Sequence, residues 1–263
     1  GNWSTVDLGG TDLDSEFYTG FLGIETDINP NHKIGLFAGA GWSEFDGGRN
    51  GKIESDDMHF GLYGVSRVAD SLQLAYGGMY TRQEREGRRD LTIIEATQKN
   101  QEDYNTDIGQ LFLEAAYTGF NNERFAIEPY AGVNVLWLNS DSIKERIGAY
   151  DIKTGKNEQV VEAATIGLRG SLPLYATETG SFALRGDISG TAFMGDTRPE
   201  ANLWIDNIGK AKLRGGRMDD PMLNVGLGFD AGFKSVKFGL AYEGAFNSDI
   251  QSNGVVANIL INF

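Results

Sequence analysis

The sequence contains no cysteine, which excludes disulfides, thiol catalysis and cysteine metal centres. Basic residues are in deficit: 23 Lys and Arg against 37 Asp and Glu give a net charge of −14. A nucleic-acid-binding surface needs the opposite balance. Proline is scarce, at 5 against 36 glycines, which argues against a disordered linker protein. No apolar run approaches the roughly 18 residues a membrane helix needs. That leaves membrane strands open, because each needs only about 10 residues and half of those face inward. No secretory leader stands at Gly1, so a mature chain or a piece of a longer one is expected.

Strict alternation dominates what is present. In residues 223–231, Leu223, Val225, Leu227, Phe229 and Ala231 alternate with Asn224, Gly226, Gly228 and Asp230. The pattern resumes with Val236, Phe238, Leu240 and Tyr242, and again with Val255, Ala257, Ile259, Ile261 and Phe263. A period of two is a β-strand with unlike faces. One face is apolar and the other glycine-rich or charged, strand after strand, which describes a barrel in lipid rather than a soluble sandwich.

The same reading applies upstream. Tyr18, Leu22, Ile24 and Ile28 oppose Phe17, Thr19, Glu25 and Asp27; Ile34, Leu36, Ala38, Ala40 and Trp42 oppose Gly35, Gly39 and Gly41. Further strands are read from 58–63, 72–76, 110–117, 127–137, 164–172 and 182–189, with a short first strand at 2–8 broken by Gly9 and Gly10. Connections near 29, 69, 121, 178 and 234 are short. Those near 50, 95, 150, 208 and 250 read as mostly long, including a charged loop over 84–105 and a second excursion over 196–220 in which Leu203, Trp204 and Ile205 extend a strand. The expectation is one all-β domain over 1–263. It is a twelve-stranded antiparallel transmembrane β-barrel of the bacterial outer membrane, with short periplasmic turns and long extracellular loops.

Parity assigns Glu25, Asp27, Arg67, Glu114, Glu128, Arg169, Arg185, Asp187, Asp230 and Glu243 to the lumen. Their mixed signs suit a hydrated tunnel that holds or passes polypeptide, and equally suit cross-strand ion pairs that only satisfy the wall. Inward glycines leave room beside Tyr63 and Tyr130. Asp56, Asp57 and His59 are the candidates for acid–histidine chemistry, but Asp56 is out of phase with the other two. The second histidine, His32, sits at a turn on the opposite side. No Gly-x-Ser-x-Gly is present. No catalytic, cofactor or metal residue is assigned.

Several segments resemble the translocator domain of autotransporters, the type V secretion barrels. They are Tyr18-Thr19-Gly20-Phe21-Leu22-Gly23-Ile24-Glu25-Thr26-Asp27, the glycine-rich succession over 34–64, and the closing Gly215-Gly216-Arg217-Met218-Asp219-Asp220-Pro221-Met222. After these come Val225–Phe229, the strand with Tyr242 and Glu243, and Val256-Ala257-Asn258-Ile259 running to Phe263. The resemblance implies export and anchoring of an N-terminal passenger, with a linker in the pore, both preceding Gly1. It implies an assembly signal at Ile259, Ile261 and the terminal Phe263, read by the barrel-assembly machinery. It also implies a monomer in contact with lipid and lipopolysaccharide. The linker helix and asparagine pair of the self-cleaving branch have no counterpart here. The rival reading is a stand-alone diffusion channel for small solutes.

Overall fold

The computed structural model describes residues 1–7, 12–48, 51–93, 96–122, 124–147, 150–177, 179–206, 209–215 and 219–262. These residues hold β1 (Asn2–Asp7), β2 (Asp12–Asn29), β3 (His32–Asp46), β4 (Lys52–Ala69), β5 (Leu72–Ile93), β6 (Ala96–Tyr117), β7 (Phe120–Asn121), β8 (Ala126–Ser140) and β9 (Lys144–Ile147). They continue with β10 (Tyr150–Thr154), β11 (Asn157–Ala176), β12 (Gly180–Gly195), β13 (Glu200–Ile205), β14 (Gly209–Arg214), β15 (Met222–Phe233), β16 (Val236–Phe246) and β17 (Ile250–Ile261).

Twelve strands form the barrel: β1–β6, β8, β11, β12 and β15–β17. Each pairs antiparallel with its neighbours, β8 joins β11, and β17 joins β1, so the sheet returns on itself. The two-residue β7 is an appendage on β8. Parity runs along each strand, interrupted by register shifts between Asp27 and Asn29, Arg67 and Ala69, and Pro173 and Tyr175. Even residues point out and odd ones in along β2, β3, β4 and β5, and the phase reverses in β6, where Leu111 and Leu113 are exposed and Thr106 is buried. The outer face carries the large exposed apolar side chains, Leu22 at 86%, Ile166 at 72% and Leu227 at 69%. Among the described residues the buried apolar set is Ala116 and Ala163, while ten polar residues are buried. Apolar-out and polar-in inverts a soluble core, and the solvent that rewards it is hydrocarbon. Trp42, stacked on Tyr18 at 4.9 Å, and Trp137 lie on the outer face, about two-fifths exposed.

The periplasmic turns are tight, as expected. Asn29 Oδ1 accepts from the Asn31 amide at 2.9 Å, and Lys234, with φ +54°, bends the two-residue turn between β15 and β16. The extracellular side departs from expectation. The loop expected over 84–105 is instead a continuation of β5 and β6, each 22 residues long. The excursions after β8 and β12 contribute β9, β10, β13 and β14 to a separate four-stranded sheet, in which Leu203, Trp204 and Ile205 belong to β13. The connection at 250 is short. Outside the bilayer both faces of a strand are wet, so the alternation that marks a spanning strand is not required there. Residues 8–10, Ile94, Gly216, Arg217, Met218 and Phe263, used in the sequence reading, lie outside the described residues.

Within the outer sheet, Glu200 receives a hydrogen bond from Lys212 and lies 3.0 Å from Arg214 Nε. These cations, Lys212 first, hold its carboxyl below the ordinary carboxylate range. A depressed folded value means the contribution is present above the ordinary value and lost as pH falls through the depressed one. Amide protection in β13 and β14 is therefore expected to drop between pH 7 and pH 3 before that of the barrel; unchanged protection would contradict this. On the lipid face, Ile166→Arg is expected to cost about 2–4 kcal/mol, against less than about 1 for Ser171→Arg facing the lumen of the same strand. Equilibrium unfolding from lipid vesicles measures both.

Candidate functional site: the barrel lumen

Glycine on one inward strand position and an aromatic on its neighbour form the first device of the lumen. A Cβ on Gly35 would overlap the Tyr63 ring, one on Gly39 the Phe21 ring, and one on Gly61 the Phe37 ring. The rings therefore lie along the wall rather than across the channel. Phe21 and Phe37 meet edge-on at 5.7 Å. Tyr63 reaches Glu25 Oε2 at 2.7 Å, and Lys33 Nζ holds Glu25 Oε1 at 2.8 Å. Asp27 lies 4.0 Å from the same ammonium.

Across the lumen a second network spans β6, β8, β11, β12 and β15. Arg169 bonds Glu114 and stacks over the Tyr130 ring at 4.4 Å. The Tyr130 hydroxyl donates to Asp187 Oδ2 at 2.9 Å. Gly167, between Tyr130 and Ser189 in the ladders, admits that hydroxyl because a Cβ there would meet it. Arg185 Nε lies 2.7 Å from Asp230 Oδ2. Glu128, Arg169, Arg185, Asp187 and Glu243 line a recess of about 470 Å³. Arg67 stands at the periplasmic end of β4, opposite Gln73, and is exposed. The ion pairs are a quarter or more exposed, so each contributes modestly.

Asp57 and His59 do not form a catalytic pair. Asp57 Oδ1 accepts from Ser55 Oγ at 2.6 Å and Gln83 Nε2 at 2.9 Å. His59 Nδ1 contacts Thr81 Oγ1 at 2.9 Å, and its ring lies against Phe21. Asp56 points to the outer face and is exposed. The sequence reading did not foresee Lys33 as the partner of Glu25, nor that Ser43, Ser55, Thr81, Gln83 and Thr106 join Asp57 in a buried polar wall. Parity, applied to polar residues as strictly as to apolar ones, places each of them inward. Ile259 and Ile261 lie on the outer face of β17, both exposed.

A family model described as the autotransporter beta-domain matches residues 1–243. The chain belongs to the autotransporter β-domain family. It is 26% identical, over 257 residues, to an extracellular serine protease of Serratia marcescens, which covers 96% of this chain and 24% of that protein. The chain thus spans about a quarter of the curated relatives it matches. The translocator domain of autotransporter NalP from Neisseria meningitidis superposes with a TM-score of 0.78 at 15% identity, covering all of this chain and 85% of that one. The β-domain of the Bordetella autotransporter BrkA gives 0.73 at 14%, covering all of this chain and 96% of that one. At such identities the likeness is one of fold. This autotransporter β-domain is accordingly a twelve-stranded outer-membrane barrel, and the stand-alone channel is the less favoured reading.

Gly35→Ala is expected to push the Tyr63 ring off Glu25 and lower stability by about 1–2 kcal/mol. Tyr63→Ala in the same chain should absorb most of that cost, because the two changes act on one contact. Additive losses in a double-mutant cycle would show that the glycine acts on something else.

Proposed function

We propose that this domain exports and anchors a passenger carried N-terminal to it in the same polypeptide. The family match over residues 1–243 carries the reading, and relatives about four times as long make room for a passenger. Geometry supports it. β1 rises from Gly1 toward the extracellular rim, so a chain entering β1 starts on the periplasmic side of the wall. A segment that must reach the outside has the lumen as its polar route. Glu25, Asp27, Arg67, Glu114, Glu128, Arg169, Arg185, Asp187, Asp230 and Glu243 are the residues we assign to that route. The set holds seven carboxylates and three arginines, and pairing of both signs along the wall leaves a passing chain no single counter-charge that traps it.

On this reading the domain performs no covalent chemistry, residues 1–263 act as one unit, and any enzymatic activity belongs to the passenger. The outward Ile259 and Ile261, with Phe263, present the end of β17 to the assembly machinery. Lipid and lipopolysaccharide surround a monomer. A diffusion channel would need only a leader before Gly1. A reporter domain fused upstream in the native reading frame, in cells, tests the proposal. Added protease is expected to digest the reporter from outside while the barrel stays folded. A reporter retained in the periplasm beside a correctly assembled barrel would refute export.

A further inference from the structure

The four-stranded extracellular sheet has one apolar and one cationic face. Directly opposed residues of neighbouring strands project to the same side. Lys153 on β10 stands opposite Lys144 on β9 and Trp204 on β13, and Trp204 stands opposite Lys210 on β14. One row across the sheet is therefore Lys144, Lys153, Trp204 and Lys210, spanning about 14 Å. The other face brings Ile152, Leu203 and Ile205 together, each half-buried. Burial holds the sheet by that face and leaves the row to water, with all three lysines exposed.

Like charges directly opposed across a ladder repel, and Lys144 faces Lys153. The chain has carboxylates to spare, at a net charge of −14, yet none answers this row. Glu200 on the same face of β13 is held by Lys212 and Arg214, and Asp151 is already engaged. Among the described residues no carboxylate pairs with Lys144, Lys153 or Lys210. The contrast with the wall over β2–β5 is sharp. There Glu16, Glu44, Glu54 and Glu86 stand in one row, with Lys52 bridging Glu44 and Glu54 and Arg88 joining Glu54 to Glu86. An anion approaching the extracellular rim is repelled by that wall and attracted by the outer sheet.

Trp204 gives the row a shape as well as a charge. A Cβ on Gly155 would stand 3.2 Å from Cη2 and Cζ3 of its ring, so the missing side chain lets the indole lie down on the sheet. Lys210 Nζ stands 6.0 Å from the ring centroid, the outer limit of a cation–π contact, and is free to turn to another partner. A flat aromatic ringed by ammonium groups suits a ligand that is apolar on its face and anionic at its edge. A pyranose ring bearing phosphate has that form, and lysine binds phosphate as a point charge. Position names the source. Lys144 follows Trp137 by seven residues, at most about 25 Å of chain, and an outward tryptophan marks the membrane boundary. The row therefore stands in the saccharide layer of the outer leaflet. We propose that Lys144, Lys153, Trp204 and Lys210 bind the phosphorylated saccharide of lipopolysaccharide, with the sugar ring on Trp204 and its phosphates between the lysines. The inference gives the proposed contact with lipopolysaccharide a site and does not depend on export.

Titration calorimetry on the full-length protein in lipid vesicles tests it. The probe is the phosphorylated oligosaccharide of lipopolysaccharide stripped of its acyl chains, so that lipid contact with the barrel plays no part. Saturable binding is expected, weakening as salt rises. Lys153→Ala with Lys210→Ala is expected to weaken it about tenfold. These exposed lysines can be removed without touching the buried face. Trp204→Ala is expected to weaken it by a similar factor and Trp204→Phe to restore most of the loss. Lys234→Ala, at a periplasmic turn, is expected to change nothing. The same saccharide treated with phosphatase is expected to bind about tenfold more weakly. Absence of saturable binding would overturn the inference, as would equal binding by the double lysine variant. Inorganic phosphate or a single-stranded oligonucleotide binding as tightly as the saccharide would overturn it too, by showing a patch for any polyanion. A precursor that exports its passenger but binds no saccharide would refute the site and leave the proposed function standing. Saccharide binding by a precursor that fails to export would do the reverse.

Discussion

Hydrocarbon offers a backbone amide no hydrogen-bond partner, and the rest of this structure answers to that constraint. A sheet in lipid has to pair every strand on both sides, so the chain winds through twelve strands and returns to its start. Once the ring closes, its outside meets acyl chains and its inside meets water. The outer face is then free to carry Leu22, Ile166 and Leu227 largely exposed, and the inner face is obliged to carry polar groups. The inversion of apolar and polar follows from closure, and closure follows from the unmet amide.

The lumen is shaped by a second consequence. Inward side chains converge toward the barrel axis, and bulky ones on adjacent strands would collide. Glycines at 35, 39, 61 and 167 let Tyr63, Phe21, Phe37 and Tyr130 lie flat against the wall. The tyrosine hydroxyls then reach carboxylates on other strands, Glu25 and Asp187. Arg169 joins Glu114 and Tyr130, so the network spans several strands. Charges of both signs are spread around the wall rather than gathered in one site, which fits a conduit better than a binding pocket for one small ligand.

Much of this was legible in the sequence because strand parity is local. The facing of Leu223, Val225 and Leu227 is fixed by their own spacing, and the same holds for Asp57 and His59 against Asp56. The outer sheet was not legible, because β9, β10, β13 and β14 lie where both faces are wet and no alternation is enforced. The continuation of β5 and β6 through their charged segments escaped for the same reason. Partnerships such as Lys33 with Glu25 depend on register between strands, which the composition of a single strand does not specify.

The central claim is that one face of each spanning strand meets lipid and the other a hydrated lumen. Single cysteines placed in turn at 223–229, in barrels reconstituted into lipid vesicles, test it through reaction with a small water-soluble thiol reagent. The account predicts labelling that alternates residue by residue, rapid at Asn224, Gly226 and Gly228 and slow at Leu223, Val225, Leu227 and Phe229. Uniform labelling along β15, or alternation in the opposite phase, would contradict it.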